Sequence, residues 1–187
     1  MVDSKSTEEK LNLWVSESVS LALGYAYTLV RHREAAEDLV QDCYRRLLDK
    51  ADVYDLPRDG TQLLYRSVTN ACINWVQRHP PETSFDQLSH SAFAGIQALA
   101  DPAAVEPIQM LIQHELEKAV DAAMNELTLE QRAAIELRSL GHSLVDVAEI
   151  LNITHGNARV LLHRARAVLA ERLHPYLKEN VHDESGQ

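Results

Sequence analysis

The chain has 187 residues, 45% apolar and 25% charged, with only six Gly and six Pro, which excludes a disordered or fibrous protein. Its longest weakly polar run, Val19 to Val30, carries Ser20 and Thr28 and stops at Arg31, short of the roughly 20 residues that a bilayer span requires. The net charge of −10 opposes phosphate binding in general, yet residues 80–126 hold one basic against eight acidic residues, while residues 127–173 hold six basic against five.

Apolar residues recur at intervals of three and four and almost nowhere alternate at two, so the chain reads as helices throughout. Near the start, Asp3, Glu8 and Glu9 stand where a secretory signal would have a basic and then an apolar segment, so a cytoplasmic location is expected. Ser6 with Glu9 fits a capping box, and Leu11, Val15, Val19, Ala22, Ala26 and Leu29 then follow one face of a first long helix. A second helix, over residues 35–50, carries Ala36, Leu39, Val40, Cys43, Leu47 and Leu48 at the same spacing. Asp55 to Gly60 reads as a turn-rich connection, and a third helix over 61–78 presents Leu64, Val68, Ala71 and Trp75. His79-Pro80-Pro81 ends this unit, because two successive prolines cannot continue a helix. Cys43 and Cys72 are the only thiols and form no CxxC pair, so they are expected as small buried apolar residues, with no disulfide framework or cysteine-based metal site.

Residues 80–107 hold four of the six prolines among scattered Ser and Ala and read as a linker. A fresh helix is predicted over 107–126, with Ile108, Leu111, Ile112, Leu116, Ala119 and Ala123 in register. Thr128 with Gln131 resembles a capping box, and the helix it opens runs to Leu140 and stops at Gly141. Ser143 with Asp146 opens a short helix ending near Leu151; Asn152-Ile153-Thr154 supplies a turn, and Thr154 caps a last helix. That helix buries Ala158, Leu161, Leu162, Ala165, Val168, Leu169 and Leu173. Two helices joined by a short turn, the second with a polar face, follow the plan of a helix-turn-helix. At about 100° per residue, His155, Arg159, His163 and Arg166 fall within an arc of roughly 80°, expected opposite the apolar stripe. Arginine is shaped for bidentate contact with guanine edges or phosphates, and a helix start offers free amides to phosphate. An ordinary solvated face is the alternative reading. The near-neutral charge of the block predicts weak DNA binding alone and a need for a larger assembly.

Two stretches, in this order, resemble the extracytoplasmic-function group of sigma-70-type RNA polymerase sigma factors. The first is Ala35-Ala-Glu-Asp-Leu-Val-Gln-Asp42, similar to that family's AEDLVQ segment. The second is Leu127-Thr-Leu-Glu-Gln-Arg132 with Asp146-Val-Ala-Glu-Ile-Leu-Asn-Ile153 and His163-Arg-Ala-Arg166. The resemblance implies an all-α protein of two small helical domains joined by a flexible linker. Residues 1–79 would form the region 2-like bundle, 80–123 an acidic linker and leading helix, 124–175 the region 4-like helix-turn-helix, and 176–187 a tail.

The implied role is a promoter-specificity subunit that acts on core RNA polymerase and promoter DNA, with no catalysis, cofactor or metal of its own, and with an anti-sigma factor as a further partner. The resemblance assigns polymerase docking to Asp38, Gln41 and Asp42, and Arg45 shares their helix face at three- and four-residue spacing. It assigns the −10 element to Asn70, Asn74, Trp75 and Arg78, with Trp75 also in register with the core. It assigns the −35 element to Asn157 and Arg159, with His155, His163, Arg164 and Arg166 in support, and Val160 and Leu161 stand where Ser and Arg are common. The acidic segment would thread a polymerase channel as a nucleic-acid mimic, or act as a solvated tether. A sigma-like mimic that sequesters an anti-sigma factor without binding promoters is the competing reading, but such proteins carry a receiver domain, and no strand-helix alternation occurs here. An enzyme is disfavoured because the histidines are scattered and neither HExxH nor a Gly-rich phosphate loop occurs.

Overall fold

The computed structural model describes residues 3–80 and 107–179, all of whose regular elements are helices. These are α1 (Asp3–Val30), α2 (Arg33–Leu48), α3 (Leu56–Arg78), α4 (Pro107–Asn125), α5 (Leu129–Ser139), α6 (Leu144–Ile150) and α7 (His155–Glu179). The expected linker interior and the terminal tail lie outside the described residues.

The first bundle packs α1, α2 and α3 around the faces that the spacing predicts: Ala22, Tyr25, Ala26 and Leu29 meet Ala36, Val40, Cys43 and Leu47 and, from α3, Leu64, Val68 and Cys72. Both cysteines are buried, and burial pushes Cys43 up to about 11 and Cys72 up to about 12, so neither is a ready nucleophile. Two pairs of hydroxyls inside the bundle satisfy each other. Thr69 Oγ1 donates to the Tyr65 carbonyl (2.6 Å) and accepts from Tyr25 (2.7 Å). Ser18 Oγ likewise donates to the Trp14 carbonyl (2.6 Å) and accepts from Tyr44 (2.7 Å).

Two boundaries differ from the sequence reading. α1 starts at Asp3, so Ser6 lies within the helix and does not cap it; no Gly or Pro precedes Ser6 to stop the helix from extending back. α3 starts at Leu56, and the expected turn from Asp55 to Gly60 is instead its first turn. Pro57 is tolerated there because its missing N–H has no intrahelical partner in the first turn. Gly60 serves packing: a Cβ on it would stand 2.8 Å from the Trp14 indole, whose Nε1 donates to Thr61 Oγ1 at 3.2 Å.

The second bundle lays α7 across α4, α5 and α6, burying Ala158, Leu162 and Ala165 with Leu137, Val147, Ile150, Met124 and Leu127. The two bundles also pack against each other, α1 on α5 and α3 on α6, with a shared cluster of buried side chains. Along this seam Tyr65 meets His142 edge to face at 4.8 Å, and Arg31 reaches Asp121 at 3.4 Å. Arg132 bridges three carbonyls, Met124 (3.0 Å), Leu127 (3.2 Å) and, across the seam, Thr28 (3.4 Å).

Candidate nucleic-acid and polymerase interface

The helix-turn-helix is held by two corners of the same construction. α5 begins with the Thr128–Gln131 capping box and ends in a Schellman motif: Gly141 at φ 90°, its N–H on the Arg138 carbonyl, and the His142 N–H on the Leu137 carbonyl at 3.1 Å. α6 begins with the Ser143–Asp146 box and ends the same way, with Asn152 at φ 53° and the Ile153 N–H on the Ala148 carbonyl at 2.9 Å. Thr154 then caps α7, its hydroxyl accepting the Asn157 N–H at 3.2 Å. Every one of these signals was readable in the sequence except the left-handed geometry of Asn152.

On α7 the six side chains His155, Asn157, Arg159, His163, Arg164 and Arg166 are all exposed. No hydrogen bond or ion pair to another described residue engages the Arg159, Arg164 or Arg166 guanidinium. The basic arc does not lie opposite the buried stripe as expected. With Ala158, Leu162 and Ala165 inward, about 100° per residue puts Gly156, Val160 and Ala167 at the middle of the outward face. Arg159, His163 and Arg166 sit on one shoulder, in a shallow recess shared with Arg138 and Leu144. Asn157 and Arg164 sit on the other shoulder. Arg138, from α5, is the cation that sequence reasoning missed; only the packing of α5 on α7 brings it to this recess. Leu161 is half-buried against the core, so it points away from any surface-bound ligand.

The α2 set shares one face: Asp38, Gln41 and Arg45 are exposed, and Asp42 is half-buried. Asp42 is paired with both Arg45 and Arg46, and the Arg45 hydrogen bond, with Arg46 beside it, holds the carboxyl below the usual carboxylate range. Asp38 and Gln41 are therefore the unneutralised acceptors of this face. Arg46 was also absent from the sequence reading, although its i,i+4 spacing from Asp42 is its signal.

On α3 Asn70, Asn74 and Arg78 form an exposed ridge at four-residue spacing. The Arg78 Nε donates to the Asn74 carbonyl at 3.0 Å, which aims the rest of the guanidinium outward. Trp75 is half-buried against the core, stacked on His79 with centroids 4.6 Å apart and 5.9 Å from the His32 ring. No three His, Cys, Asp or Glu side chains among the described residues converge to hold a metal ion, and no described helix is long and apolar enough to cross a membrane.

Comparison with known proteins accounts for both bundles. Residues 14–80 match Sigma-70 region 2, and residues 117–169 match Sigma-70, region 4. These two regions define a sigma-70-type sigma factor. The chain is 31% identical over 155 residues to the ECF RNA polymerase sigma factor SigM of Mycobacterium tuberculosis, covering 81% of this chain and 70% of that protein. It is 28% identical over 155 residues to the ECF RNA polymerase sigma factor SigW of Bacillus subtilis, covering 79% and 80%. The fold is similar to that of the sigma factor RpoE from Bartonella quintana, solved with the anti-sigma factor NepR, at a TM-score of 0.59 and 24% identity over 90% of this chain and 97% of that one. The chain belongs to the ECF group of the sigma-70 family, and its role is a sigma factor's, in transcription initiation.

Proposed function

We propose that the chain docks on core RNA polymerase through Asp38 and Gln41 of α2 and directs initiation at promoters whose −10 element meets α3 and whose −35 element meets α7. It would do so in the cytoplasm. The division of labour follows the bundles: residues 1–79 for docking and the −10 element, 124–175 for the −35 element, and 80–123 as the connection. The observation that carries this reading is α7, a capped recognition helix whose exposed Arg159, Arg164 and Arg166 have no partner among the described residues. On the first bundle, Asn70, Asn74 and Arg78 offer amides and one positive charge to an unstacked strand. Trp75, stacked on His79, supports that ridge from behind.

The packed arrangement supports a storage form that opens. Axes of adjacent packed helices lie about 8–10 Å apart, and α3, α6 and α7 are successive neighbours, so the axes of the two reading helices lie within roughly 20 Å where they pack. The two elements, about 25 positions apart by their names, span about 85 Å of duplex at about 3.4 Å per base pair. The seam must part before one chain engages both. A clamp on the seam by an anti-sigma factor fits this geometry, since holding it shut separates neither bundle from its own fold yet prevents promoter binding.

The test is reconstitution with core polymerase. Arg159→Ala should weaken promoter binding by about 1–3 kcal/mol in a gel shift with holoenzyme. Unchanged affinity together with unchanged sequence preference would reject that role for Arg159, and failure of the chain to co-elute with core polymerase would reject the sigma role in favour of a mimic.

A further inference from the structure

Resting on the reading of α7 as the −35 helix, we infer that Val160 is a specificity-determining residue, reading the 5-methyl group of a thymine on the major-groove floor. Val160 is 46% exposed, one of few large apolar side chains so placed, although it belongs to a well-packed 25-residue helix. At about 100° per residue it lies between the two cationic shoulders, roughly 100° from Arg159 and 40° from Arg164. A helix about 10–12 Å across fills a major groove about 12 Å wide, so cations on opposite shoulders meet the two phosphate walls and the residues between them face the base edges. At that position a side chain without a donor or acceptor cannot read a purine edge or a cytosine amine. The one major-groove feature it matches is the thymine methyl.

Gly156, one turn earlier on the same face, gives the clearance. A Cβ built there meets no atom closer than Thr154 Oγ1 at 4.0 Å, so the chain's own packing does not require glycine. A helix free of side-chain bulk at that position lets the groove edge approach closely, which is what a short side chain such as Val160 needs in order to touch the floor. An apolar protein partner would not call for cations along both edges of the stripe.

The experiment uses holoenzyme and promoter DNA selected by the wild type from a library randomised in the −35 element. Each thymine of the selected element, on either strand, is replaced by deoxyuridine, which removes only the 5-methyl group. Wild-type holoenzyme should lose about fourfold in affinity at one thymine, the burial value of one methyl group. Val160→Ala should bind the deoxyuridine promoter as the wild type does and show less than about a twofold penalty for the missing methyl. Val160 is exposed enough that alanine does not threaten the fold. A −35 preference with no deoxyuridine penalty, or a penalty that Val160→Ala retains in full, overturns this inference alone. A library that yields no −35 preference overturns it together with the assignment of α7.

Discussion

The interior of the α1–α3 bundle and the seam between the bundles are both shielded from water, but they are built from different groups. In the interior Leu64, Val68 and Cys72 are fully buried, and Thr69 and Tyr25 satisfy each other's hydroxyls. Burial pushes the Tyr25 phenol far above its ordinary range, so that network stays neutral. The seam instead collects Arg31, Asp121, Arg132, Glu136 and His142. Burial lowers Arg132 to about 10 and raises the Glu136 carboxyl, with Arg31 pulling Glu136 the other way. Arg31 also holds its backbone at φ 55° and leaves its Nε buried without a hydrogen bond. A cleft of about 180 Å³ between Arg31, Asp121, Met124 and Glu136 remains unfilled by side chains. The charged groups of the seam regain water on separation, whereas opening the interior would expose mainly hydrocarbon with a few neutral hydroxyls. The difference suits a bundle that stays folded while its neighbour comes and goes.

The sharpest way to break this contrast is to compare truncations. Leu64→Ala should destabilise the protein by about 2–5 kcal/mol in urea melting, because removing a fully buried leucine side chain leaves a cavity in a packed core. If a seam substitution costs the first bundle as much, the seam is part of a single cooperative unit and the storage-form reading is wrong.

A smaller effect separates the seam from the interior through pH. The Glu136 carboxyl is raised in the packed state, so packing favours its protonated form; that contribution is present below the ordinary carboxylate range and is lost as pH climbs through the raised value. Tyr25 of α1, Arg31 just beyond its end and Tyr65 of α3 are groups that interact with it. His142, lowered by burial against Tyr65, works in the opposite sense: its contribution is present above 6.5 and is lost as pH falls through the lowered value. Glu136→Gln should abolish the opening of the seam that comes with raising pH through the elevated Glu136 value, while leaving the acid-side opening intact. Energy transfer between dyes on cysteines introduced at the exposed positions Asp52 and Glu171 reads it, since Cys43 and Cys72 are buried and poorly ionised. Identical pH profiles for the two proteins would remove Glu136 as a seam determinant.

What the sequence made legible follows from the range of each interaction. The Thr128 and Ser143 capping boxes and the Gly141 stop are local, fixed by residues within a turn of one another, and all of them appear in the structure; the apolar face of α2 does too except at its end, where Leu48 is exposed, and the side chains expected at Ile108, Leu111 and Ile112 lie outside the described residues. The polar faces of α2, α3 and α7 were legible for the same reason, and their named residues are exposed apart from Asp42 and Trp75, which are half-buried. The seam was not legible. Arg31 and Asp121 stand 90 positions apart, and Arg132 reaches Thr28 across 104, so periodicity reads each as an ordinary surface residue of its own helix. Gly60 misled in the same way: glycine beside Pro57 and Asp59 signals a turn, and only the Trp14 ring, far away in the chain, explains it as helix. The rotation of α7 by which Val160 displaces the arginines from the middle of its outward face needed the real positions of Ala158, Leu162 and Ala165.

The rim of the seam sharpens the comparison with its smallest expected effect. Gln62 of α3 donates to Glu149 of α6 at 2.5 Å, and Glu149 is exposed. A solvated amide and carboxylate exchange this bond for water with little net change, and holding two long side chains in register offsets part of the gain. Gln62→Ala should therefore change both the unfolding free energy and the free energy of seam closure by no more than about 0.5 kcal/mol. If it opened the seam as far as raising the pH does, closure would be set by this peripheral contact and not by the buried charges around Arg31 and Glu136.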